Sequence, residues 1–165
     1  MPLLTDKTAI LETLNHHPER ASRLWIEEGH ERTWEALIQE AKRQGVAFRI
    51  LPKEAFARKF KGVRSHACLE RSDFLYTDGD ELSGHVSTLH APFLAAFDAI
   101  FDPQNLGNIM RSAACFSLDG LIIPKDRSCG VTEAVIAVSM GAVEHVKVAR
   151  VVNLVRYLAT LKEQG

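Results

Sequence analysis

The 165-residue chain has few of the features that mark secreted or strongly basic proteins. It has three cysteines, Cys68, Cys115 and Cys129, an odd number at wide spacings that suits neither a disulfide framework nor a zinc knuckle. Reduced thiols are therefore expected. Twenty basic and 21 acidic side chains leave a net charge of -1, so overall charge gives no attraction to nucleic acid. Any binding to nucleic acid must use a local patch.

Long apolar runs are also missing. Apolar runs such as 93–97 and 121–123 are far short of the roughly 20 residues that a membrane-spanning helix needs. The N-terminus has no basic region leading into an apolar core, which argues against a secretory signal. These absences predict a cytoplasmic protein without membrane contact.

Helix-like and strand-like segments alternate along the chain, which is typical of an α/β fold. In the first half, helices are predicted at 8–14, 33–44 and 52–60, and strands at 23–26, 46–51 and 67–76. The second half shows strands at 93–101, 120–124 and 145–148 with helices at 107–116, 132–140 and 153–161, an order that favours a parallel sheet. Between them the chain turns polar. We therefore predict a domain at 1–77, a linker at 78–90 and a second domain at 91–165.

The segment with the clearest chemical content is DPQNLGNIMR, residues 102–111, which joins an apolar strand to a helix. Such loops line the crevice at the carboxyl edge of a parallel sheet, where α/β proteins bind ligands. Gly107 is expected to let the chain turn into the helix with free N–H groups that favour an anion. Arg111 lies one helical turn further, where its guanidinium can hydrogen-bond a phosphate or an alkoxide.

A plainer interpretation stands beside this one. Asn105 would then only cap the helix, and Arg111 would only be an exposed helix residue. Cys115, one turn after Arg111, is expected to pack inward as a small apolar group.

The residues of this segment, extended to Ala113, closely resemble the first motif of the SpoU/TrmH RNA ribose 2′-O-methyltransferases. The resemblance continues in family order through 122–128, 139–142, 144–148 and 152–154. The N-terminal part is similar to the RNA substrate-binding domain of the ribosomal-RNA members, a small α/β fold related to ribosomal proteins. The implied fold is that domain followed by the first part of a parallel-sheet, trefoil-knot methyltransferase domain.

The resemblance implies an activity and a set of site residues. It places Asn105 and Arg111 in the catalytic site, where they would orient a ribose hydroxyl and stabilise its oxyanion. Proton transfer to Arg111 is not expected, because a guanidinium is seldom neutral. The partner would be ribosomal or transfer RNA, with a homodimer as a further expectation. The predicted substrate-binding residues are Gly107, Lys125, Arg127, His66, Lys59 and Arg64.

The family pattern also includes elements that these residues lack. Family members continue with a Gly-x-Glu-x-x-Gly segment and a C-terminal segment that knot around S-adenosylmethionine. We therefore expect the complete protein to use S-adenosylmethionine, and this chain to be an inactive fragment without the knot or any cofactor-binding residue. The alternatives are a non-enzymatic RNA-binding or assembly module and, less well supported, a phosphate-binding hydrolase.

Two smaller departures concern individual positions. Family members often read His-Gln-Gly where this chain has His66-Ala-Cys68, and they usually have Gly where it has Ala99, a change expected to tighten a strand. His66 and Cys68 could begin a metal site, but no second pair follows at zinc-ligand spacing, so no metal ligand is predicted.

A basic cluster surrounds two phenylalanines in the third predicted helix. It consists of Lys53, Arg58, Lys59, Lys61 and Arg64. The positive charges would neutralise phosphates, and an exposed Phe56 or Phe60 could stack on a base. Alternatively, the two rings point into the core and the charges form a solvated helix face.

Overall fold

Helices and strands alternate along residues 2–164, which a computed structural model of the chain describes. The chain divides between Asp73 and Phe74 into two units. The predicted α/β fold class is confirmed. None of the helices in the described residues is long and apolar enough to cross a membrane.

The first unit is a four-stranded mixed sheet with three helices. In spatial order its strands are β1, β4, β2 and β3, and only β2 and β3 run parallel. The strands are β1 (Leu3–Leu4), β2 (Ala21–Glu27), β3 (Phe48–Leu51) and β4 (Ala67–Arg71). The helices are α1 (Lys7–His16), α2 (Glu35–Arg43) and α3 (Lys53–Lys59).

Aromatic packing on one face of this sheet decides between the two interpretations of the basic cluster. Phe56 and Phe60 are buried in a cluster with Trp25 and Cys68. Rings four residues apart in sequence lie on the same face of a helix, and here that face is the core side. The two phenylalanines therefore do not stack on bases, and the plainer interpretation holds for them. Burial raises the pKa of the Cys68 thiol to about 12.

The second unit is a three-stranded parallel sheet in the order β5, β6, β7. Its strands are β5 (Leu94–Ala96), β6 (Gly120–Pro124) and β7 (Val148–Val151). Its helices are α4 (Gly79–Val86), α5 (Pro103–Cys115), α6 (Glu133–Ser139) and α7 (Leu154–Glu163). The helices α5 and α6 pack on each other, whereas Leu82 of α4 and Tyr157 of α7 join a core formed by residues of β6 and β7.

The predicted linker at 78–90 contains a helix. Helix α4 forms there, with Asp78 as its N-cap, and its buried Leu82 and Val86 belong to the core of the second unit. Two apolar residues one turn apart are enough to pack one face of this helix against the core, although its other residues are mostly polar. The polar composition of the segment therefore did not reveal this helix.

Two further predictions about the second unit are wrong. Strand β5 ends at Ala96, and Ala99 lies outside it with φ of 56°, the left-handed region that favours glycine. The alanine therefore does not tighten a strand; it occupies a turn that glycine would adopt with less strain. Cys115 is exposed at the end of α5 rather than packed inward.

Candidate functional site

The three parallel strands of the second unit end at the same edge of the sheet. The loops that follow β5 and β6 meet there, because the Cys129 N–H donates to the Ile100 carbonyl at 2.6 Å and the Ser128 hydroxyl donates to the same oxygen at 3.0 Å. This is the edge at which parallel α/β proteins bind ligands. We call it the carboxyl edge. It includes the loop before α5 and the loop at 125–131.

Helix α5 begins earlier than the sequence analysis predicts. Asp102 is its N-cap and accepts a hydrogen bond from the Gln104 N–H at 2.9 Å, and Pro103 is the first helical residue. An aspartate followed by proline is a common helix start. Asn105 is therefore not the N-cap, and Gly107 is not at the open end of the helix.

Gly107 serves packing in this structure. It is buried in the second turn of α5, where helical hydrogen bonds already use the backbone N–H groups. A Cβ at this position would lie 2.6 Å from Val138 Cγ1, on α6. The structural reason for calling Gly107 a substrate-binding residue, a free N–H at a helix terminus, is therefore wrong.

Asn105 and Arg111 both lie on exposed parts of α5. Six helical residues correspond to a rotation of about 600°, so the two side chains leave the helix about 120° apart. Asn108 is three residues from each and lies between them on the exposed surface. Asn108 was not among the predicted site residues, although its spacing from both of them was a usable signal.

An open groove runs along α5 beside Asn105. One part, a cavity of about 560 Å³, includes Asn105 and the exposed Phe101, and the adjoining part of about 310 Å³ includes Phe116. Asn108 lines both parts. The aromatic rings are 68% and 71% exposed, which is unusual for phenylalanine. The groove thus combines amide groups with flat apolar surface.

Lys125 and Arg127 follow β6 on the carboxyl edge, and both are exposed. Backbone hydrogen bonds fix Lys125, whose N–H donates to the Val151 carbonyl at 2.8 Å and whose carbonyl accepts from the Arg150 guanidinium at 2.6 Å. Arg127 adopts φ of 60°. With Arg111, the second unit therefore presents three exposed cations from α5 and the loop after β6.

The remaining predicted substrate-binding residues, Lys59, Arg64 and His66, belong to the first unit. Lys59 pairs with Glu70, with its Nζ 2.9 Å from Oε1, and lies over the Trp25 ring. Arg64 is exposed. His66 is exposed beside Glu27, with its Nδ1 2.9 Å from Oε2. Lys59 and His66 therefore each have a carboxylate partner within the first unit.

Within the second unit, Tyr76 contacts the loop at 125–131. Its hydroxyl accepts the Val131 N–H at 2.6 Å, and its ring lies 5.0 Å from the Arg150 guanidinium. Tyr76→Phe leaves that N–H without its acceptor. We expect a loss of about 1–2 kcal/mol in unfolding free energy and faster hydrogen exchange at Val131.

Hydrogen exchange read by NMR checks this prediction. Tyr157→Phe is the matched control, because it removes a different hydrogen bond, the one that the Tyr157 hydroxyl donates to the Gly79 carbonyl. It should leave exchange at Val131 unchanged. Equal exchange at Val131 in Tyr76→Phe and the unaltered chain would mean that Tyr76 does not hold the loop.

Models of two known protein families match the chain, one in each unit. The family model of RNA 2′-O ribose methyltransferase substrate binding matches residues 7–65, and that of the SpoU rRNA methylase family matches residues 92–165. The chain belongs to the SpoU rRNA methylase family. The predicted resemblance is confirmed.

Relatives in the SpoU family match both units in one alignment. A Bacillus subtilis protein named as a TrmH family tRNA/rRNA methyltransferase, YacO, is 34% identical over 161 residues, covering 96% of this chain and 64% of its own length. The 23S rRNA (guanosine-2′-O-)-methyltransferase RlmB of Shewanella oneidensis is 33% identical over 162 residues, covering 95% and 65%. The chain thus spans about two thirds of the length of these relatives.

Solved structures of methyltransferases share the fold of this chain. The rRNA methyltransferase from Sinorhizobium meliloti matches with a TM-score of 0.68 at 16% identity, covering 99% of this chain and 59% of that one. The SpoU methyltransferase AviRb from Streptomyces viridochromogenes, in complex with AdoMet, matches with a TM-score of 0.69 at 15% identity, covering 98% and 58%. At these identities the likeness concerns the fold alone.

Proposed function

We propose that the protein is an RNA ribose 2′-O-methyltransferase that acts on ribosomal RNA and takes its methyl group from S-adenosylmethionine. The observation that carries this proposal is the succession of a substrate-binding match over 7–65 and a methylase match over 92–165. One unit would then bind RNA, and the other would present the reacting ribose to the methyl donor.

Methyl transfer to a ribose requires groups that activate its hydroxyl, which is a weak nucleophile. A ribose hydroxyl reacts faster when it is oriented and when the developing oxyanion is stabilised. Arg111 offers a permanent cation with several fixed N–H donors. Asn105 and Asn108 offer amide groups along the groove of α5. We assign Arg111 to the oxyanion and the amides to orientation of the ribose.

The phosphates on either side of that ribose need counter-charges. Lys125 and Arg127 are exposed on the carboxyl edge and would supply them. Phe101 and Phe116 are exposed beside the groove, where a ring could stack on an unpaired base. Bases in single-stranded RNA are available for such contacts, so a loop or a bulge is the expected target.

We infer that the groove along α5 does not hold the amino acid end of S-adenosylmethionine. The apolar part of the groove is lined by Asn108, Ser112 and five apolar side chains, without a charged group for the amino acid end of the donor. No donor contact is therefore assigned to these residues. S-adenosylmethionine supplies an electrophilic methyl group in this family.

Transfer of a labelled methyl group from S-adenosylmethionine to ribosomal RNA tests the proposal, with the gene product that contains this sequence as the enzyme. A methylated ribose lacks the 2′-hydroxyl that alkaline cleavage requires. We therefore expect label in RNA and one phosphodiester linkage that resists alkali. Label on a base would contradict the ribose assignment. RNA binding without any transfer would favour a non-enzymatic RNA-binding module instead.

A further inference from the structure

Three side chains that commonly bind metals come together in the first unit. Glu27 ends β2, and His66 directly precedes β4, its antiparallel neighbour. The Glu27 N–H donates to the His66 carbonyl at 2.9 Å, which fixes the two residues side by side. His30 follows Glu27 by three residues, through a turn in which Gly29 has φ of 87°. The topology of the sheet, rather than sequence spacing, therefore forms this cluster.

The geometry of the cluster is close to that of a coordination site. The His66 Nδ1 lies 2.9 Å from Glu27 Oε2, and the His30 and His66 rings stack with their centroids 3.7 Å apart. One ligand atom from each residue lies within 4.8 Å of the others. In a tetrahedral zinc site, bonds of about 2.0 Å separate two ligand atoms by roughly 3.3 Å.

We propose that Glu27, His30 and His66 bind one divalent transition-metal ion, with Zn²⁺ as the best-suited ion. Two imidazoles and one carboxylate are a donor set that zinc accepts, and three protein ligands leave a fourth position for water or an RNA phosphate. The proposal lies beyond methyl transfer, and metal binding is measured independently of it.

Small side-chain movements would complete the site. The two stacked rings must rotate out of parallel so that a nitrogen of each points at the ion. His66 is free to do so because its side chain is 46% exposed, whereas Glu27, at 11%, stays in place. The hydrogen bond from His66 lowers the pKa of the Glu27 carboxyl, so this ligand is ionised at neutral pH. Metal binding through His66 Nδ1 replaces its hydrogen bond to Glu27 Oε2, and the proton of the neutral imidazole then resides on Nε2.

Two nearby residues help to define the ligand set. Cys68 lies two residues after His66 but is buried, and burial keeps its thiol protonated, so it does not join the site. Lys53 carries a positive charge that also lowers the pKa of Glu27. That charge opposes a bound cation, so removing it should strengthen metal binding.

Titration of the untagged chain with Zn²⁺, followed by calorimetry, tests the proposal. We expect one ion per chain, with affinity reduced about tenfold or more in His30→Ala, His66→Ala and Glu27→Gln. Lys53→Ala should bind more tightly. His90→Ala, an exposed histidine of the second unit, is the matched control and should bind as the unaltered chain does. Circular dichroism establishes that each variant is folded.

Co²⁺ provides a spectroscopic measure of the ligands. Nitrogen and oxygen ligands in tetrahedral geometry should give visible absorption bands without a sulfur charge-transfer band. A charge-transfer band that disappears in Cys68→Ser would overturn the ligand set. The proposal also fails if Zn²⁺ does not bind, or if folded His30→Ala and His66→Ala variants bind it as tightly as the unaltered chain.

Discussion

Replacing Arg111 by alanine is expected to slow methyl transfer to RNA on the order of 10²–10³-fold. Removal of a single group that stabilises a developing oxyanion has a cost of this size in other enzymes. Arg111 is exposed on α5, the helix that follows the first loop of the carboxyl edge. Its loss should therefore act on catalysis and leave the fold intact.

Arg111→Lys distinguishes the effect of the positive charge from that of the planar guanidinium geometry. Lysine keeps the positive charge but lacks the planar set of N–H donors, so we expect an intermediate rate. The measurement is the initial rate of methyl transfer by the gene product at several RNA concentrations. An effect confined to kcat would indicate oxyanion stabilisation, whereas one confined to KM would indicate phosphate binding.

Arg156→Ala is the control for a general loss of surface charge. Arg156 is another exposed arginine of the second unit, on α7. We expect a rate close to that of the unaltered protein. If Arg111→Ala and Arg156→Ala were equally active, Arg111 would have no part in the reaction.

Much of the first unit follows from sequence patterns. Amphipathic periodicity located α2, and Pro52 correctly marked the start of α3. The four-residue spacing of Phe56 and Phe60 indicated one helix face, but it did not say whether that face met the core or the solvent. Packing against Trp25 on β2 decides this, and such a contact joins residues distant in sequence.

The carboxyl edge was predictable in part. Alternating strands and helices placed the loop before α5 at a sheet edge, as the structure has it. The helix was predicted to start at Gly107, because glycine often marks a turn. Asp102 and Pro103 carried the correct signal four residues earlier. That displacement changes which residues share a face, so it also hid Asn108.

The cluster around His66 could not be read from spacing. His66 lies 39 residues after Glu27, and only the antiparallel pairing of β2 and β4 brings them together. Searching near His66 in the sequence leads to Cys68, which the fold buries. Because this contact depends on the pairing of strands distant in sequence, residue spacing alone could not predict it.

Gly107→Ala should destabilise the second unit by about 1–3 kcal/mol, the usual cost of overpacking a core. In an exposed helix the same change is favourable by about 1 kcal/mol, because glycine is the poorer helix former. At Gly107 the new Cβ would lie 2.7 Å from Val138 Cβ and 3.1 Å from the Val135 carbonyl oxygen. Neither atom can move without the α6 backbone, so α5 and α6 must separate.

Gly84→Ala is the matched control, since Gly84 is an exposed residue inside α4 and a Cβ there meets nothing within 4 Å. It should stabilise the chain by about 0.5–1 kcal/mol. Thermal unfolding followed by circular dichroism measures both variants, and Gly107→Ala should lower Tm by roughly 2–10 °C.

A second substitution shows whether the clash is the cause. Val138→Ala removes Cγ1, which would lie 2.6 Å from a Cβ at position 107, but it keeps the contacts with Val138 Cβ and the Val135 carbonyl oxygen. The double variant Gly107→Ala/Val138→Ala should therefore be more stable than the sum of the two single effects predicts. Strict additivity would mean that the Val138 methyl groups do not cause the loss. Because α5 carries both Asn105 and Arg111, a shift of this helix should also slow methyl transfer in the single variant, and the double variant should recover part of that rate.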